Sequence, residues 1–171
     1  RPPPEAQGSP GGGSEAKTPL KNSPEGSKED LLLEAERLLE EGKIEMAQGF
    51  YDRALECYQQ SRKIYMDLGH AKGLSKAINN IGGIHYQRGE FEAGLTLLRE
   101  EIRRAEEQGY PVDRVSFLGN IGLFLREMGA HSAALEHTQQ AISIAREVGS
   151  QMAVARHLGN LSAIHSAMGS K

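Results

Sequence analysis

One segment of this chain is stated three times at a fixed interval of forty residues: Ser75 to Gly89 (SKAINNIGGIHYQRG), Val115 to Gly129 (VSFLGNIGLFLREMG) and Ala155 to Gly169 (ARHLGNLSAIHSAMG). The spacing has no gap. Asn80, Asn120 and Asn160 fall in register, as do Gly89, Gly129 and Gly169, and between them Gly69, Gly109 and Gly149. A period of this length marks stacked units, each of which buries its apolar face only against its neighbours. The repeat therefore excludes most other folds before any single residue is weighed.

Each unit reads as two helices. The first carries Ile78, Leu118 or Leu158 at one template position and Gly82, Gly122 or Ser162 at another. The second spans Phe50 to Leu68, Phe91 to Gln108 and His131 to Val148, with Tyr51, Ala54, Leu55 and Tyr58 matching Phe91, Gly94, Leu95 and Leu98. Spacings of three and four put these residues on one helix face. Small residues at Ala54, Gly94 and Ala134, and at Gly42, Gly82, Gly122 and Ser162, permit close helix approach. Gly49, Gly89, Gly129 and Gly169 stop the first helices, and Gly69, Gly109 and Gly149 the second. Pro111 is expected just inside the helix that follows Gly109.

Shifting the template back by one unit puts Leu38, Gly42 and Gly49 on Ile78, Gly82 and Gly89, so a degenerate first unit opens near Ser27, the expected N-cap, with Glu29 and Asp30 in its first turn. An atypical first unit is what an end cap requires. The expectation is an all-α chain of about seven helices: three antiparallel pairs over units 28–69, 70–109 and 110–149, and a seventh helix over 150–169 that opens a further pair. Residues 170–171 end the fragment. An opened pair leaves one apolar side uncovered. Continuation past Lys171, a partner or a second copy is expected to cover it, and a start at Arg1 fits a fragment or processed product.

Residues 1–27 are rich in Pro, Gly, Ser and charge and are expected to be disordered. Ser9-Pro10, Thr18-Pro19 and Ser23-Pro24 have the form of proline-directed phosphorylation sites, a form that linker composition also produces. The net charge of −3 argues against a nucleic-acid partner, and no stretch is apolar enough to span a membrane. One cysteine, Cys57, excludes an internal disulfide and fits a reducing, cytoplasmic setting. Six histidines form no metal-binding helical pair; His85 and His165 share a template position that reads as core. No phosphate-cradling loop or nucleophile motif is present, and acidic pairs such as Glu100-Glu101 read as solvated, so neither an enzyme nor a cofactor is expected.

Helix pairs with a small-residue, aromatic and alanine template ending in glycine resemble the tetratricopeptide repeat. The forty-residue unit and the triplets Leu118-Gly119-Asn120 and Leu158-Gly159-Asn160 are similar to its long Leu-Gly-Asn subclass, as in Pins-like polarity adaptors, with Asn79-Asn80 departing in the second unit. The resemblance covers about residues 28–169. It implies a right-handed superhelical solenoid whose first helices line a concave groove that holds a protein or peptide partner.

In that template Asn80, Asn120 and Asn160 stand on the inner face, and each amide offers both a donor and an acceptor to a peptide backbone. Bonding to a neighbouring helix is the other reading of the same ladder. Lys76 and Arg156 lie one turn before two of the asparagines, and Tyr86 and Arg126 lie after two, where they could select an acidic peptide. The places that clamp a terminal carboxylate in chaperone-binding members hold Leu39 and Lys43, then Ser116 and Asn120, so that clamp is substantially missing. The function expected is an interaction scaffold. The alternative is an assembly module that stacks on further repeats or self-associates through its open C-terminal helix.

Overall fold

Six glycines with positive φ divide the chain into helices: Gly49, Gly69, Gly89, Gly109, Gly129 and Gly149, with φ between 64° and 82°. At each of the six turns the amide one residue past the glycine donates to a carbonyl five residues back, at 2.8 to 3.1 Å. This backbone bond closes the last helical turn and reverses the chain, and its left-handed residue is cheap only as glycine. The structure, a computed structural model, describes residues 24–169. Among the described residues seven helices follow in order: α1 (Pro24–Ala47), α2 (Tyr51–Asp67), α3 (Ala71–Gln87), α4 (Phe91–Gln108), α5 (Arg114–Glu127), α6 (His131–Glu147) and α7 (Gln151–Gly169).

The stack has two unequal sides. The first helices touch one another in sequence, α1 on α3, α3 on α5 and α5 on α7, whereas α2, α4 and α6 pack on the first helices before and after them. Among the described residues the backbones of the second helices do not approach each other in this way; α2 and α4 meet through side chains, Arg62 on Glu101. Closer spacing on one side curves the stack, so the face of α1, α3, α5 and α7 is the concave one. Its core runs continuously from Ala35 and Leu39 through Tyr58, Ile78, Ile81 and Leu98 to Phe117, Ile121, Phe124 and Ile164.

Several local expectations are corrected. α1 begins at Pro24 rather than at a Ser27 cap, since proline loses nothing in a first turn whose N–H groups lack helical partners. The tail and its Ser9, Thr18 and Ser23 sites lie outside the described residues, apart from 24–27, which open the helix. Pro111 is not inside α5. It sits in the connection after Gly109, and α5 starts at Arg114 behind Asp113, whose carboxylate accepts from the Ser116 N–H at 3.0 Å. Gly169 is the last helical residue described and does not share the positive φ of the other six.

Glu101 is not solvated. It is 1% exposed and accepts from the Tyr110 hydroxyl at 2.7 Å and from Arg62 at 3.3 Å, with Arg104 at 3.6 Å. This network ties α2, α4 and the connection to α5 together. Burial and the Glu101 carboxylate push the Tyr110 hydroxyl up to about 12. His85 is not core either: its Nδ1 lies 2.7 Å from Glu90, and His165 is exposed. The histidine that enters the core is His157, at 2% exposure.

His157 explains one of two glycines that the repeat alone leaves equivalent. A Cβ on Gly119 would lie 2.0 Å from the His157 ring, whereas a Cβ on Gly159, one unit later, would meet open space. Substituting each by alanine should therefore act in opposite directions. Gly119→Ala overpacks a buried ring and lowers unfolding free energy by about 1–3 kcal/mol, while Gly159→Ala raises it by up to about 1 kcal/mol through helix propensity. Denaturant titration of both variants checks the sign.

Candidate functional site

Two clefts open on the concave face, and they share a wall. The first, of about 430 Å³, lies between α1 and α3 and is bordered by Glu36, Glu40, Lys43, Lys76, Asn79 and Asn80. The second, of about 250 Å³, lies where α1, α3 and α5 meet, between Met46, Asn79, Gly82, Gly83, Asn120 and Leu123. Asn79 borders both, so they form one groove across α3. Helical spacing puts Lys76, Asn79, Asn80 and Gly83 along one side of α3.

The seven expected residues divide into three groups. Asn80, Asn160 and Lys76 make no hydrogen bond or ion pair among the described residues; Lys76 is exposed and the two asparagines are half-buried. Asn120 does not stand alone, because its Nδ2 donates to Asn79 Oδ1 at 2.9 Å. That bond joins α5 to α3 across the groove floor and leaves one amide oxygen and one amide nitrogen of the pair for another partner.

Tyr86 and Arg126 hold each other. The Tyr86 hydroxyl accepts from Arg126 Nη2 at 3.3 Å and donates to Glu127 Oε1 at 3.2 Å, while Arg126 is ion-paired with Glu127 at 2.5 Å. The Arg126 hydrogen bond keeps the Glu127 carboxyl below its ordinary range, and the Tyr86 hydroxyl adds to this. The cationic charge of Arg126 is thus balanced within the protein. Arg156 lies elsewhere, in a separate cleft of about 290 Å³ with Asp113, Ser116, Val148 and Met152. Its Nη2 is 3.5 Å from Ser116 Oγ and 3.4 Å from His157 Nε2.

Sequence reasoning missed Asn79, Gly83, Met46 and Leu123. The available signal was departure from the repeat: Asn79 stands where the other units have Gly119 and Gly159, and Gly83 stands where they have Lys43, Leu123 and Ala163. No group of three or more His, Cys, Asp or Glu gathers to hold a metal among the described residues. Burial pushes the Cys57 thiol up, which disfavours its reactive thiolate. No helix among the described residues is long and apolar enough to cross a membrane.

Residues 115–148, which hold α5, its turn and α6, match the tetratricopeptide repeat family. The match covers one of the helix pairs. The array is also similar to the crystal structure of the apo form of RapI, with a TM-score of 0.69 and 14% identity over 82% of this chain and 39% of that one. At that identity the likeness is one of fold, and the array spans about two fifths of the RapI chain. No curated protein sequence matches this one.

The repeat that begins with α7 carries a pH-sensitive group. Desolvation first, and the Arg156 charge second, hold His157 below its ordinary value of 6.5, while Asp113 opposes them. The unfolded chain then takes up a proton before the folded one does, so stability falls as pH drops below about 6.5 and levels once the folded-state value is passed. Thermal melts across that range should show this slope, and His157→Leu should lack that part of it.

Proposed function

We propose that this chain is a protein-interaction scaffold that holds a segment of a protein partner in the groove across α1, α3 and α5. The observation that carries the reading is the continuity of the two clefts through Asn79, beside amides that the fold leaves unused. The mechanism is binding rather than turnover. Asn80, with the remaining amide groups of Asn79 and Asn120, bonds the partner's backbone, which recognises an extended segment with little dependence on its sequence. Lys76 supplies a free cation one turn before Asn80 for an acidic side chain. Tyr86 with Arg126 forms a fixed edge of the groove, Asn160 stands at the matching position of α7, and Arg156, in its separate cleft, is a second contact for a longer segment.

The forty-residue unit and its Leu-Gly-Asn triplets support membership of the long-repeat subclass seen in Pins-like adaptors. The single cysteine supports a reducing, cytoplasmic setting, and the net charge of −3 supports a protein rather than a nucleic-acid partner. Peptides selected from a displayed random library on the wild-type chain provide the test. The variant Asn79→Ala/Asn80→Ala/Asn120→Ala should raise their Kd by about tenfold or more, a loss of at least about 1.4 kcal/mol, with helicity unchanged. Equal affinity for the variant overturns the reading.

A second reading is favoured by α7, where Met152 is 85%, Leu158 42% and Met168 41% exposed. The open space at Gly159, beside the filled notch at Gly119, is shaped for a further helix, and here the occupant is a second copy of the chain. Light scattering across a concentration series should then show dimers that Met152→Glu/Leu158→Glu abolishes. A wild-type monomer at every concentration removes this reading.

A further inference from the structure

Helix α3 contains two consecutive glycines in its interior, Gly82 and Gly83, and the packing of the protein requires neither of them. Glycine weakens a helix relative to alanine, so an interior glycine usually has a steric reason. Other helix glycines here have one: a Cβ on Gly94 would lie 2.4 Å from the Phe124 ring, and one on Gly122 would lie 2.3 Å from Thr138 Oγ1. A Cβ on Gly82 would meet only Phe124 at 3.9 Å, and one on Gly83 only Met46 at 3.6 Å, both ordinary contacts. The other units carry Lys43, Leu123 and Ala163 at the position of Gly83, so only α3 lacks a side chain there.

That space is the floor of the second cleft. Met46 of α1 and Leu123 and Phe124 of α5 wall it, and Asn79 and Asn120 stand at its rim. No Asp, Glu, Lys or Arg lines it. A charged side chain entering would lose its hydration without a compensating partner, whereas an aliphatic one would exchange water for Met46, Leu123 and the bare backbone of α3. The rim amides then meet the peptide groups on either side of the entering residue.

We propose that the Gly82–Gly83 pocket is an anchor site for one large aliphatic side chain, leucine or methionine, of the bound partner segment. The inference rests on the groove reading and adds its specificity: the amide rim accepts backbone of any sequence, and the glycine floor chooses the residue at one position. Gly83 acts as a specificity-determining residue through the side chain it lacks.

The test uses the displayed random peptide library on the full chain. Peptides enriched on wild type should share a leucine or methionine, and Gly83→Leu, which fills the pocket, should weaken them about tenfold or more. Gly83→Leu should keep the wild-type helicity, because its Cβ makes only an ordinary contact with Met46 and leucine has the higher helix propensity. Met46→Ala, which enlarges the pocket, should shift the shared residue toward phenylalanine, a readout that stands even if the leucine variant fails to fold. Enriched peptides without a shared aliphatic residue, or with equal affinity for Gly83→Leu, overturn the anchor; the groove reading survives that result if the triple asparagine variant still weakens them. If wild type enriches no peptides, both readings fall.

Discussion

The structure depends on the reversal of the chain at a left-handed glycine. Each of the six turns uses one such residue and one backbone bond back into the preceding helix, so the two helices of a pair are antiparallel and closely spaced without a designed loop. Side-chain caps are then needed only where this geometry leaves amides unpaired. α2, α4 and α6 start without one, at Phe50, Glu90 and Ala130, whereas His70, Asp113 and Ser150 accept from amides at the starts of α3, α5 and α7. The connection between α4 and α5 is the exception that tests the rule. Pro111 disfavours helical geometry in Tyr110, and the chain is held instead by Tyr110 on Glu101 and by the Asp113 amide on Ser75 Oγ at 3.1 Å.

From that reversal follows the groove. Because the backbones of the first helices approach one another and those of the second helices do not, side chains on α1, α3 and α5 converge on the concave face. Convergence has two effects on polar groups. It lets some satisfy one another, as Asn120 does with Asn79 and Arg126 with Tyr86 and Glu127. It leaves others, Asn80 and Lys76, facing the cleft with their hydrogen-bonding capacity intact. Only the second kind remains free for a partner in full, so the chemistry of the face is weighted toward the α1–α3 end.

Departures from the repeat mark what each unit does beyond stacking. Gly94 stands where Ala54 and Ala134 stand elsewhere, because the Phe124 ring lies against it. His157 stands where Phe117 and Ala77 stand, and its ring fills the notch of Gly119. Gly83 departs without such a packing reason, Asn79 departs to accept from Asn120 across α3 and α5, and both line the groove. Period and departure thus separate stability from recognition within a single sequence.

The period by itself determined seven helices, their order and their antiparallel pairing, because helical spacing and a repeated left-handed glycine are local properties that sequence displays directly. It also made the three asparagines visible as a set. Their states were decided only by tertiary structure: Asn120 is bonded, Asn80 and Asn160 are not, and Arg126 is neutralised by Glu127, the next residue, although consecutive helical side chains do not face each other. The burial of Glu101 and His157, the exposure of His165 and the depth of the Gly82–Gly83 pocket were equally hidden. Each depends on which side chain of a neighbouring helix arrives at a given height, and helix rotation and separation set that height across units in a way no single helix encodes.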